Sequence, residues 1–171
     1  MFSLERPNMT IVSIQTADGT FTAHFSTSGL AGLDFPRNEI TPPGVTMELL
    51  APRDSWLRLT ERALEQALAG KTPDRLPPLD LSSGTEFQRR VWNALRSIPS
   101  GRTKSYSQVA QSIGRPGAVR AVGQACGANP IPVVIPCHRV LAAGGKIGGF
   151  SGGLDWKRKL LAREGAIPDL D

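Results

Sequence analysis

The sequence predicts an α+β chain, with a small antiparallel β-sheet and one helix in the first 80 residues and a mostly helical second part. Three observations carry that expectation. Two β-rich runs, IVSIQTA (11–17) and TFTAHFST (20–27), flank Asp18-Gly19, a pair suited to a type I′ hairpin turn. One long segment, DSWLRLTERALEQALAG (54–70), follows helical spacing. Further on, TEFQ (85–88) and SYSQ (105–108) have the Ser/Thr-x-x-Gln form that opens helices by reciprocal capping.

Taken in order, GLAGLDFP (29–36) supplies a third strand. In the long helical segment Trp56, Leu57, Leu64 and Leu68 form the apolar set, Asp54 or Ser55 can cap the start, and Gly70 stops it. KTPDRLPPLDLSSG (71–84) is a linker by composition, so residues 1–80 form one unit and 85–171 a second. The helix opened by TEFQ places Phe87, Val91, Trp92, Leu95 and Ile98 on one face. PSGRT (99–103) is a turn, and the helix opened by SYSQ ends at Gly114. RPG (115–117) is a tight turn, and AVRAVGQAC (118–126) is the next helix, ended by Gly127. Two helices joined by a short Gly-containing turn make a helix-turn-helix pattern. The second helix is thin: Ala118, Ala121, Gly123 and Ala125 leave it narrow, with Arg120 and Gln124 as its long polar residues. A helix reading the major groove would carry more hydrogen-bonding side chains. A narrow one fits either tight packing in a core or entry into a minor groove.

The net charge of +5 divides unevenly. Residues 1–85 carry 7 basic and 10 acidic side chains, while 86–171 carry 13 basic and 5 acidic ones. A basic half beside an acidic one suggests a polyanion partner for the second half. No apolar run approaches the roughly 18 residues that span a bilayer. MFSLERPNMT has an acid where a signal peptide has its basic region, so a soluble, cytoplasmic protein is expected. Cys126 and Cys137, without CxxC spacing, read as free thiols. His24 and His138 are the only histidines, too few with these cysteines for an expected zinc site.

The stretch IPVVIPCHRV (131–140) concentrates the chemistry. Asn129-Pro130 signals a turn and PVVI a short buried strand, so Cys137 is expected where that strand ends, with His138 beside it. The thiolate is the nucleophilic form of cysteine, and a neighbouring base raises its fraction. Adjacent residues of an extended segment point apart, so His138 needs a bent backbone or a bridging water to reach the thiol. A carboxylate should orient the imidazole, and of five acids in this half Glu164 is the choice. Residue spacing alone leaves a buried, inert cysteine as an equal alternative.

Residues 85–165 closely resemble the catalytic domain of O6-alkylguanine-DNA alkyltransferases. The motifs in order are TEFQRRVWNAL, IPSGRTKSYSQVA, AVRAVGQA, ANPIPVVIPCHRV, GGKIGGFSGG and LLAREG, and PCHRV is highly specific to this family. The first 80 residues resemble the family only in layout. The resemblance implies an RNase H-like N-terminal unit and a winged-helix, helix-turn-helix catalytic unit. It implies Cys137 as alkyl acceptor, His138 as its base through a water, Glu164 as the orienting carboxylate and Asn129 as the residue pinning the preceding turn. Tyr106 is the implied donor to departing guanine, and Arg120 the residue filling the gap left by an extruded base. Further DNA contacts are implied at Thr103, Ser105, Ala121, Gly123 and Gln124, and a substrate pocket at Pro132, Val140, Gly148, Phe150 and Ser151.

The implied activity is irreversible transfer of an alkyl group from O6-alkylguanine, and O4-alkylthymine, in flipped-out DNA to Cys137. The implied partner is double-stranded DNA bound through its minor groove by a monomer, with no metal or diffusible cofactor and no membrane. Phe150 stands where many relatives have tyrosine, and the cysteines that hold zinc in some members are missing from the first half. The alternatives are a Cys-His hydrolase, which would turn over, and a helix-turn-helix protein that binds alkylated DNA without repairing it. Cys137 argues against the second.

Overall fold

The computed structural model describes residues 9–37 and 53–166. Strands β1 (Thr10–Thr16), β2 (Gly19–Phe25) and β3 (Leu30–Asp34) form an antiparallel meander in that order. Helix α1 (Arg53–Leu68) follows. The second part holds α2 (Glu86–Arg96), β4 (Lys104–Ser105), α3 (Tyr106–Ser112), α4 (Val119–Gly127), β5 (Val140–Leu141) and α5 (Leu154–Arg163), with β4 and β5 paired in parallel. The α+β class holds.

Side-chain alternation explains the sheet. Phe21, Ala23 and Phe25 of β2 are fully buried, with Ile14 of β1 and Leu30 and Leu33 of β3 on the same inner face. His24 faces the other way and pairs with Asp34 at 2.7 Å. The hairpin turn differs from the expected Asp18-Gly19. Thr16 pairs with Gly19, so Ala17 and Asp18 are the loop residues. Neither has the positive φ a type I′ turn demands; Gly19, at φ 117°, supplies it instead. Thr16 Oγ1 tightens this turn by accepting from the Asp18 amide at 3.1 Å.

Helix α1 buries Ala63, Leu64, Ala67 and Leu68, with Trp56 and Leu57 packed against the core's edge. It begins at Arg53, so Asp54 and Ser55, expected as caps, lie in its first turn. The segment that reads as a linker is laid along the open edge of β3. Leu30 donates to the Pro78 carbonyl and accepts from the Asp80 amide, both at 2.8 Å. Only glycine fits at 29, where φ is 154° and a Cβ would stand 2.2 Å from the Pro78 oxygen.

Both capping boxes form. Thr85 and Gln88 close α2, and Ser105 and Gln108 close α3, each by reciprocal side chain to backbone bonds. Val91, Trp92, Leu95 and Ile98 are buried, and Trp92 Nε1 donates to the Ala125 carbonyl at 2.8 Å, tying α2 to α4. One buried cluster runs from Phe21 through Leu64 and Trp92 to Leu160, across the boundary marked by composition at 71–84.

Candidate active site

Residues 131–140 are all buried, but PVVI is not a strand. Pro132 and Ile135 bridge each other across a turn at Val133-Val134, and Ile135 donates to the Ile131 carbonyl at 2.9 Å. Val133 has φ 73°, the single positive φ outside glycine among the described residues and an unfavourable one for a β-branched side chain. Asn129 holds this turn from inside. Its Oδ1 accepts from the Ile131 amide at 3.0 Å and its Nδ2 donates to the Ile135 carbonyl at 2.9 Å. These bonds, with prolines at 132 and 136, override the β propensity of the valines and isoleucines.

Cys137 therefore opens a 3-10 turn, Cys137–Arg139, rather than ending a strand. Its exposure is 4%. Burial pushes its thiol up to about 11, against the opposing pull of the Asn129 hydrogen bond and the Lys157 charge. His138 Nε2 lies 2.8 Å from Glu164 Oε1, with both side chains 1% exposed. Burial holds the imidazole below its ordinary value despite the carboxylate, so it is neutral at pH 7. Its Nδ1 is buried without a hydrogen-bond partner among the described residues. A nitrogen in that condition can accept a proton.

Sequence reasoning missed two buried cations. Arg139 clamps Glu164 through Nε at 3.0–3.1 Å and Nη2 at 2.8 Å, and its Nη1 reaches the Ile98 carbonyl at 2.6 Å. Burial pushes Glu164 up, yet the hydrogen bonds from His138 and Arg139 prevail and keep it below its usual range. Lys157 of α5 is fully buried and donates to the carbonyls of Val140 at 2.7 Å and Gly149 at 3.1 Å. No carboxylate pairs with it among the described residues. The spacing of 157, 160, 161 and 164 along one helical face would have revealed a lysine on the apolar stripe.

The thiol borders a cavity of about 300 Å³, lined among others by Tyr106, Gly123, Cys126, Cys137, Phe150 and Ser151. That volume is at the lower end for small-molecule sites. Burial, and then the charges of the two cysteines, hold the Tyr106 phenol above its ordinary value, so it stays a proton donor. Gly148 adjoins it: a Cβ there would stand 3.2 Å from the Tyr106 hydroxyl. Pro132, Val140 and Gly148 do not line this cavity, although Gly148 lies against Tyr106, which does. Turning at Val133 sends Pro132 to a neighbouring groove, and the Val140 carbonyl is engaged by Lys157.

Arg120 and Gln124 are exposed on α4, with Ala121 and Gly123 half-buried between them. A Cβ at Gly123 would stand 3.9 Å from the Tyr106 ring, and Gly123 lines the cavity, so the thin side of the helix opens onto it. Thr103 and Ser105 are half-buried before α3, where Ser105 serves as the cap.

The sequence model of the 6-O-methylguanine DNA methyltransferase DNA-binding domain matches residues 86–166. A methylated-DNA–protein-cysteine methyltransferase of Mycolicibacterium paratuberculosis is 62% identical over 86 residues, which are 50% of this chain and 52% of that one. The match thus spans about half the length of that relative. Its counterpart in Methanosarcina acetivorans is 46% identical over 122 residues, covering 66% of this chain and 76% of its own. The crystal structure of Mycobacterium tuberculosis OGT in complex with DNA superposes with a TM-score of 0.68 at 38% identity, over 90% of this chain and 91% of that one. With a relative matched over most of its length and a solved structure matched over nearly all of both chains, the chain belongs to the methylated-DNA–protein-cysteine methyltransferase family.

Proposed function

We propose that this chain repairs DNA directly, moving the alkyl group of O6-alkylguanine irreversibly to Cys137. One observation carries the reading: a thiol at a cavity of about 300 Å³, next in sequence to an imidazole bound to Glu164 through Nε2 and left with an unpartnered, buried Nδ1. Such an arrangement can deprotonate a thiol locally without a metal.

The reaction needs the damaged nucleotide out of the stack and in the pocket. Helices α3 and α4 supply the DNA-facing surface, and Arg120 enters the duplex from the minor groove to occupy the vacated position. With the thiol raised to about 11, little thiolate exists beforehand, so it forms during the encounter. His138 takes the thiol proton, directly or through a water, and Glu164 stabilises the resulting imidazolium. The sulfur attacks the alkyl carbon, an S–C bond replaces the C–O bond, and guanine leaves with the bonding pair. Tyr106 protonates it and regains its proton from the His138 imidazolium through solvent, so the net change carries the thiol proton to guanine. The thioether has no leaving pathway, and each molecule reacts once. Lys157, whose charge acts on both thiols, favours the anionic stage. The catalytic unit in this reading is the segment from residue 85 onward.

The test uses DNA carrying radiolabelled O6-methylguanine. Label should pass to protein and stop at one methyl per molecule, on Cys137. Repeated turnover would point to a hydrolase, and label on Cys126 would overturn the assignment. Arg120→Ala should slow repair of duplex DNA more than reaction with the free alkylated base; equal loss on both would make Arg120 a folding residue.

A further inference from the structure

The N-terminal half meets the candidate active site through an aromatic row. Phe35, just beyond β3, stands edge-on to Phe150 with ring centroids 5.5 Å apart and planes at 74°. Phe35 also contacts Trp156 at 5.0 Å, which meets the buried Phe21 of β2 at 5.6 Å. Phe150 in turn presents its ring to His138 at 6.5 Å and 83°. The row thus runs from the core of the sheet to the imidazole.

Two cavities flank this row. The one at Cys137, about 300 Å³, is lined by Phe150 and Ser151. A second, about 360 Å³, is lined by Phe35, Pro132, Ser151 and Gly152. Ser151 borders both, while each phenylalanine borders one, so the Phe35–Phe150 pair and Ser151 form the wall between them. Gly152 packs tightly against one side of that wall: a Cβ there would stand 2.5 Å from the Phe35 ring. A ring packed in this way resists displacement when a bulky group enters from the front.

We propose that Phe35 is a specificity-determining residue which, by backing Phe150, limits the size of the group that can reach Cys137. The substituent class concerned is the alkyl or arylalkyl group on O6 of guanine, so the substrate side of the claim rests on the alkyl-transfer reading. Shrinking the Phe35 side chain lets Phe150 move toward the second cavity and joins the two spaces. Adding a methyl at Gly152 pushes the same wall the other way.

The experiment measures single-turnover alkylation of Cys137 by O6-methylguanine and by O6-benzylguanine in the same oligonucleotide. Wild type, Phe35→Leu and Gly152→Ala are compared below their melting temperatures. Phe35→Leu should raise the benzyl-to-methyl rate ratio about tenfold, a usual range for a change of this size in an apolar pocket. Gly152→Ala should lower the ratio. If both rates fall together in both variants and the ratio stays fixed, Phe35 is only a packing residue and the proposal fails. A second pair of probes, iodoacetamide and N-benzyl iodoacetamide, reads the size limit at Cys137 without guanine or DNA. If wild type takes no methyl from DNA, the functional reading fails, but this second ratio still decides for or against the wall.

Discussion

The two halves of the chain share one core and carry different kinds of information. The family's sequence model matches only residues 86–166, yet structural likeness to a family member extends over 90% of the chain. In the first half the sheet and α1 present buried apolar surface, a requirement that many combinations of Phe, Leu and Ala can meet. In the second half particular atoms must occupy particular places: a sulfur, an imidazole with one free nitrogen, a carboxylate held by two donors. Packing tolerates substitution that chemistry does not, so the sequence signal is strong where atoms react and faint where surfaces merely fill space.

The largest expected effect isolates chemistry from packing. Cys137→Ser should abolish label transfer while DNA binding and melting temperature stay close to wild type, because a hydroxyl is far less nucleophilic at neutral pH. Survival of transfer would break the comparison at its root. His138→Gln keeps a donor for Glu164 but removes the proton acceptor, and should slow transfer about 10²–10⁴-fold. A change below tenfold in single-turnover kinetics would assign deprotonation elsewhere.

Away from Phe35, substitution in the first half should act through stability. Phe21 is fully buried, and Phe21→Ala should cost about 3–5 kcal/mol in denaturant unfolding. Its transfer rate, measured where the variant remains folded, should change much less. A collapse of that rate would mean that the halves are not separable in this way.

The smallest effect concerns how the halves are joined. Asp18 in the hairpin accepts from both terminal guanidinium nitrogens of Arg163 at 2.7–2.8 Å and from Lys159 at 2.8 Å. Hydrogen bonds from Arg163, opposed by burial and aided by Lys159, hold its carboxyl well below the usual range. Asp18→Asn should cost about 1 kcal/mol at pH 7, since Arg163 is partly exposed and the pair is screened. The unfolded chain protonates Asp18 first, so this contribution is full above pH about 4 and disappears as pH falls toward the folded value. His138 behaves differently. Its folded form stays neutral while the unfolded chain takes up a proton near pH 6.5, so stability should already decline below that pH. Unfolding measured against pH should show both windows, with Asp18→Asn altering only the lower one.

Much of this was legible in the residues. Thr85 with Gln88 and Ser105 with Gln108 signal their helix starts by local bonds alone, and both form. The choice of Glu164 followed from having few acids in the second half, and its carboxylate lies at His138. The turn at Pro132–Ile135 was illegible because β propensity is a local quantity, whereas Asn129 imposes the turn through two bonds to residues further along. The displaced loop at Ala17-Asp18 has a similar cause, with Thr16 and Gly19 setting the register. Pro132 and Val140 were expected in the pocket from the family resemblance alone; in the fold Pro132 borders the neighbouring groove and the Val140 carbonyl is taken by Lys157. Arg139 and Lys157 were missed because charge reads as surface until a partner is known.

The depth of Cys137 also bears on storage. On the proposed reading the protein is consumed by one reaction and so is a reagent, which must survive until it is needed. With its thiol at about 11, on the order of one molecule in ten thousand carries the reactive anion at neutral pH. Hydroperoxides act on that anion and on exposed sulfur, and at 4% exposure they find little of either. Slow oxidation of the folded protein beside rapid oxidation of the unfolded chain would demonstrate this protection; equal rates would refute it. On the alkyl-transfer reading, the fold that receives the lesion also preserves the acceptor, and burial sets how long an idle molecule stays usable.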